Sequence, residues 1–312
     1  MQKTILVAAA SALSCYPTWA ADRVDPHTRP IQVDAAKKWN QPQKPVRIYG
    51  NTYYVGVAGL SAILIRTDKG LILLDGDLPQ SVPLIEANIR EIGFRVKDIR
   101  IILNSHAHYD HAGGIAALAR DSGAVVVASP PGAAALRAGR AVADDPQAGY
   151  ADSTRDDPAV FPAVSGKIRE VSDGEVLHLG GTSITAHLTP GHTPGSTSWT
   201  WIDCVAGHCL NIVYADSLNA ISAPGFHFIG DGNHADLTER FRKSIQAVSA
   251  LPCDILLTVH PDQSGMSDKM KQLIAGATTN PFVDPQACAN YARQMEGILD
   301  ARIQEEKAAA TR

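Results

Sequence analysis

The chain has 312 residues, 45 % hydrophobic and 19 % charged, with a formal net charge of −4. That composition fits an ordinary globular protein with ample material for a core. So mild an acidic balance excludes the electrostatic footprint of a nucleic-acid binder and offers no basic surface for a membrane.

The N-terminus stands apart. Lys3 is the only charge in the first 21 residues, and TILVAAASALS is small and apolar. That run of roughly 11 residues is too short for the ~20 that span a bilayer. With small residues around Ala20, residues 1–20 read as a secretory signal peptide cleaved near Ala20, which implies a periplasmic protein with no stable membrane association. The remaining 21–312 are expected to form a single hydrolase domain, with 27 basic against 32 acidic residues, a net of −5. Four cysteines then remain: Cys204, Cys209, Cys253 and Cys288. An even count in an oxidising compartment suggests disulfides, and four cysteines allow three pairings. The favoured one is Cys204–Cys209, closing the turn CVAGHC, with Cys253–Cys288; a metal site at Cys204, His208 and Cys209 is the crowded alternative.

After a polar, proline-bearing leader (22–43), VRIYGN, TYYVGV, SAILIRT and GLILLDG read as closely spaced strands, with DKG (68–70) a hairpin turn. A helix follows at about 81–92, ended by Gly93. The buried strand DIRIILNS runs straight into HAHYDH; then come the helix IAALARDSG and the strand AVVVAS. Residues 144–166 hold three prolines and no periodicity, the mark of a functional or disordered loop. The second half restarts with strands EVLHL, SITAHLTP, STSWTWI and NIVYADS. An amphipathic helix is expected at about 237–250, with Asp236 and Glu239 as a capping box. The strand DILLTVH and a C-terminal helix from about 286 complete the chain.

Two halves, each a run of strands with helices attached, pack best as two sheets face to face with helices outside. The expected fold is α+β: a four-layer αββα sandwich of two mixed β-sheets. Hairpin turns weigh against a doubly wound parallel sheet.

The chemistry concentrates in HAHYDHAGG, residues 106–114. His106 and His108 are two apart and can converge on an extended chain. Asp110 and His111 are adjacent, so the segment is expected to be irregular, with Gly113 and Gly114 bending the backbone into the next helix. Imidazole and carboxylate are good Zn²⁺ ligands. Four of them within six residues suit two neighbouring ions better than one. His192, in TPGHTPGS, and His260, closing DILLTVH, repeat the design of an apolar strand with a ligand at its tip. Among the other histidines, His178 and His187 alternate with apolar residues and read as strand positions. His27 lies in the leader and His208 in the cysteine turn. His227 and His234 lie in a glycine-rich loop that could border the site.

H-x-H-x-D-H, then a histidine in a Gly/Pro turn, an aspartate and a strand-end histidine resemble the metallo-β-lactamase superfamily over about residues 44–290. Within it, NTYYVGVAGLSAILIRTDKGLILLDG, SHAHYDHAGG and YADSLNAISAPG with LPCDILLTVHP look most like the third subclass of di-zinc metallo-β-lactamases. The resemblance implies a first zinc on His106, His108 and His192, a second on Asp110, His111 and His260, and a supporting role for Asp75. It implies hydrolysis of the β-lactam ring of penicillins, cephalosporins and carbapenems, and hence antibiotic resistance. The nucleophile would be hydroxide generated from water by two Zn²⁺ ions, with Asp110 orienting it. Ser217 and Asn219 would bind the substrate carboxylate; Asn219 stands where family members often have serine or threonine. Tyr150 and Phe161 are candidate apolar walls. The expected partner is a small-molecule β-lactam, with no nucleic acid, and a monomer is favoured. One alternative is a thioesterase or lactonase of the same superfamily, in which Asp216 would bridge both metals. Another is a periplasmic zinc-binding protein without catalysis.

Overall fold

The computed structural model describes residues 25–152 and 160–311; the signal peptide expected over 1–20 and residues 153–159 of the proline-bearing loop lie outside them. Among the described residues, seven strands form one sheet in chain order: β1 (Val46–Tyr49), β2 (Thr52–Tyr54), β3 (Ile63–Thr67), β4 (Gly70–Leu74), β5 (Ile99–Leu103), β6 (Val125–Ala128) and β7 (Ile168–Glu170). Pairing is antiparallel from β1 to β4 and parallel from β4 to β7. The DKG hairpin forms, with Thr67 opposite Gly70. The second sheet runs β12-β11-β10-β9-β8, built from β8 (Val176–Leu179), β9 (Thr182–Leu188), β10 (Thr197–Val205), β11 (His208–Ala215) and β12 (Ile255–Thr258). Only β11–β12 is parallel. Both sheets are therefore mixed, as expected.

The period-two alternation of side chains explains the layers. In β3, Ile63 and Ile65 point between the sheets, where they join Trp199, Trp201, Ile212 and Tyr214 in one buried cluster. Leu64 points the other way, into a cluster with residues of α2 (Val82–Glu91), α4 (Ile115–Ser122) and α5 (Pro130–Ala138). In β11, Val213 and Ala215 face outward onto α6 (Thr238–Ser249) and α8 (Ala287–Ala310). Strands covered on both faces carry near-continuous apolar runs, which is why LILL and DIRIIL read as buried strands.

Both favoured disulfides are present. Cys204 and Cys209 lie directly opposite each other on β10 and β11, and Cys253–Cys288 ties the approach to β12 to α8. The alternative metal site at Cys204, His208 and Cys209 is thereby ruled out, because both thiols are consumed.

Several elements differ from expectation. The capping box does not form: α6 begins at Thr238 behind Leu237, which gives no side-chain cap. Asp236 Oδ1 instead accepts from the Thr238 N–H and hydroxyl, at 2.8 and 2.6 Å. Helix α5 was hidden by its opening Pro-Pro-Gly, which looks like a turn. Ser129 caps it and proline fits the first helical turn, where no N–H is needed. Short α1 (Asp34–Trp39) lies in what reads as a polar leader, and α7 (Met266–Ile274) follows the His260 turn.

Candidate active site

Four strands end on one rim. His106 and His108 follow β5, His192 follows β9, Asp216 and Ser217 follow β11, and His260 follows β12. Past β5 the chain stays extended to His108 and then closes one helical turn, α3 (Tyr109–Ala112), which carries Asp110 and His111. The segment expected to be wholly irregular is thus half extended and half helical.

Asp75, just after β4, anchors this segment. Its fully buried carboxylate accepts the Ser105 N–H at 2.8 Å, the Asn104 amide at 3.3 Å and the Tyr214 hydroxyl at 2.8 Å. The glycines act differently from expectation. Gly113 (φ −56°) and Gly114 (φ −87°) have right-handed backbones that any residue could adopt. What requires glycine is close approach: a Cβ on Gly113 would lie 2.4 Å from Pro79 Cδ, and one on Gly114 2.2 Å from the Gly76 carbonyl.

His106, His108 and His192 each offer a nitrogen to a set whose atoms all lie within 4.8 Å of one another. In each ring the outward nitrogen is taken. His106 Nδ1 lies 2.6 Å from Asp216 Oδ1, and His108 Nε2 lies 3.1 Å from both oxygens of Asp145. His192 Nδ1 lies 2.8 Å from the Asn219 carbonyl. Tying one ring nitrogen to a carboxylate or carbonyl fixes the tautomer and aims the other nitrogen as a ligand. His106, Asp110 and His111 make a second set within the same limit, so His106 stands between two groups. His260 joins from β12: its Nε2 lies 3.2 Å from His111 Nε2 and 3.4 Å from Asp110 Oδ2, which is itself 3.3 Å from His111 Nε2. Trp39 of α1 packs against the His260 ring at 5.2 Å between centroids.

These residues fit a metal. His106 Nε2, opposite the nitrogen held by Asp216, is buried without any hydrogen-bond partner. Two imidazole nitrogens and a carboxylate oxygen within 3.4 Å of one another are arranged as around a cation. The electrostatics of His106, His192 and Asp110 agree. Burial, with the flanking histidines, lowers His106 well below the usual imidazole range and His192 to about 3, so both stay neutral with lone pairs available. Burial would raise Asp110, but His111 and His260 outweigh it and hold the carboxylate ionised.

The Metallo-beta-lactamase superfamily profile matches residues 55–205. Among solved structures, Rm3 metallo-beta-lactamase is 43 % identical, with a TM-score of 0.83 over 88 % of this chain and 99 % of that one. MEM-A1, a subclass B3 metallo-beta-lactamase from a soil metagenome library, is also 43 % identical, with a TM-score of 0.81 over 87 % of this chain and 99 % of its own. A B3 metallo-beta-lactamase described as the first with an active-site glutamic acid is 45 % identical, with a TM-score of 0.81 over 91 % and 99 %. The chain belongs to the metallo-β-lactamase superfamily. The resemblance drawn from the sequence holds, down to the third subclass, and the histidine-aspartate cluster offers this metallo-β-lactamase two sets of groups able to hold a metal.

Other expected residues fall variously. Asn219 is half-buried beside His192, whereas Ser217 is only 2 % exposed, with its hydroxyl 3.5 Å from the Asn219 N–H. Phe161 is buried in the core under α5 and is not a wall of the site. His178 and His187 bond Ser183 and Thr200 as strand residues, and His234 pairs with Asp231. Asp145 and Gln147 escaped sequence reasoning. Gln147 Nε2 reaches 3.5 Å from both His108 Nδ1 and His192 Nε2.

Proposed function

We propose that this chain is a zinc-dependent hydrolase that opens the β-lactam ring of penicillins, cephalosporins and carbapenems, and so confers resistance. The observation that carries the reading is the adjoining pair of ligand groups. His106, His108 and His192 would hold one Zn²⁺, and Asp110, His111 and His260 a second. Three protein ligands per ion leave positions open, as in a catalytic site and unlike a carrier. Bound there, zinc would supply Lewis acidity toward the amide carbonyl and acidify water toward neutral pH.

The chain's own residues do the rest. Asp216, Asp145 and the Asn219 carbonyl hold the three imidazoles in register. Asp110 accepts a hydrogen bond from the attacking water and orients it. The Asn219 carboxamide, at the rim, donates to the substrate carboxylate, with buried Ser217 shaping the turn beneath it. The contact of Asp216 disfavours the thioesterase or lactonase alternative. A bridging role needs its carboxylate among the ligands, yet Oδ1 lies at His106 Nδ1, the nitrogen opposite the one aimed at the metal, and among the described residues neither ligand group within 4.8 Å includes Asp216.

We further read residues 21–312 as one hydrolase domain, exported to the periplasm and monomeric, with small-molecule substrates. Two disulfides support an oxidising compartment, and no helix among the described residues is long and apolar enough to cross a membrane. The test is to offer the zinc-loaded chain a penicillin, a carbapenem and a glutathione thioester, each with and without chelator. Chelator-sensitive loss of the β-lactam ring is expected; thioester cleavage alone would overturn the reading.

A further inference from the structure

The three imidazoles of the His106–His108–His192 group are not held alike. The partner of His106, Asp216, directly follows β11, and its N–H is fixed to the Ser198 hydroxyl on β10 at 3.0 Å. The partner of His108 comes from no strand. Asp145 lies in a connecting segment, 37 residues from the histidine it serves, yet it is buried and places both carboxylate oxygens 3.1 Å from His108 Nε2.

Asp145 also organises its own segment. Its Oδ1 accepts the Gln147 N–H at 2.8 Å and its carbonyl accepts the Ala148 N–H at 2.9 Å. The same stretch docks on the opposite rim of the site. The Ala223 N–H donates to the Pro146 carbonyl at 2.8 Å, and the Tyr150 hydroxyl to the Ser222 carbonyl at 3.0 Å. The Gln147 carboxamide then lies over the nitrogens that face the ion. One carboxylate therefore fixes the tautomer of His108 and the docked position of residues 145–150.

We propose that Asp145 is the positioning residue for His108, and that through it metal occupancy of the His106–His108–His192 site and docking of residues 145–150 are thermodynamically linked. Whatever factor the docked carboxylate adds to metal affinity, the metal adds to docking, because linkage is reciprocal. The linkage is expected chiefly at this site, since among the described residues no hydrogen bond or ion pair joins Asp110, His111 or His260 to residues 145–150. The inference rests on the zinc reading above.

Zinc affinities of the whole mature chain are measured by competition with a chromophoric chelator, and amide hydrogen exchange at Gln147 and Ala148 with and without zinc. Loss of an outer partner typically costs about 10–100-fold in metal affinity. Asp145→Ala should weaken one of the two zincs by that factor and leave the other within about threefold. Zinc should slow exchange at Gln147 in the unaltered chain but not in Asp145→Ala. Asp145→Asn keeps the shape and an acceptor while losing the charge, and should fall between. Asp216→Ala should also weaken zinc, yet keep the zinc-dependent protection at Gln147; a merely structural role for Asp145 would not separate the two variants. Unchanged zinc affinity in Asp145→Ala, or exchange at Gln147 indifferent to zinc in the unaltered chain, overturns this inference alone. An unaltered chain that takes up no zinc overturns the metal reading and this inference with it.

Discussion

Asp75 offers a sharp test of how the metal segment is supported. Its carboxylate has no solvent exposure and meets three donors: the Ser105 N–H, the Asn104 amide and the Tyr214 hydroxyl. Burial pushes the carboxyl up to about 7, against the lowering effect of the Ser105 and Tyr214 hydrogen bonds, and the charge of Asp216 adds to the rise. In the unfolded chain the same group titrates near its ordinary value of 3.8. A folded pKa above the unfolded one means that stability is fully present below about 4 and is lost as pH rises toward 7. A gap of about three units at 1.36 kcal/mol each gives an order-of-magnitude loss of about 4 kcal/mol.

Asp75→Asn removes the titration while keeping the shape. The introduced carboxamide oxygen still accepts the Ser105 N–H, and its amide can donate to the Tyr214 oxygen. In metal-stripped protein, urea midpoints of the two forms should nearly coincide at pH 4. They should separate as pH rises, with the Asp75→Asn variant the more stable by up to about 4 kcal/mol at pH 8. Equal slopes in urea are required for the midpoint comparison to report stability. Parallel pH profiles, or an aspartate form that gains on the variant above pH 6, would refute the reasoning.

His260→Ala should lower bound zinc from about two per chain to about one, read by elemental analysis after dialysis; unchanged stoichiometry would remove His260 from the ligand set. The two disulfides should differ in worth. Cys253–Cys288 spans 35 residues and Cys204–Cys209 spans 5. On the loop-entropy model these contribute about 4 and about 2 kcal/mol. Paired Cys→Ala variants compared by urea unfolding should keep that order, and a reversed order would mean that the cost lies in native packing.

The sandwich was legible because β8 to β10 alternate, with one face exposed, while β4, β6 and β12 are covered on both faces. Such strands are apolar throughout, and a polar ligand at a strand tip stands out against them: His106 after DIRIILNS, His260 after DILLTV. The six proposed ligands were visible for that reason, as was Asp75 at the end of LILL. Gly113 and Gly114 were visible as residues but not in their role. For Gly114 the need comes from Gly76, which local sequence does not bring near; for Gly113 it comes from Pro79 as well as from the Tyr109 carbonyl one turn earlier.

The outer partners were hidden for a related reason. Asp145 sits in DDPQ, a composition that reads simply as a turn, and Asp216 in YADS, where a bridging metal ligand and a brace look alike in sequence. Each role is defined by which ring nitrogen the carboxylate touches, and that contact crosses 37 residues in one case and 110 in the other. A histidine advertises itself as a ligand by residue type, but its orientation is a non-local property. The same ligand spacing on another loop would leave His108 free to turn. The part of this centre that sequence alone leaves open is therefore also the part most able to differ between chains with the same six ligands: how firmly, and from where, each imidazole is held.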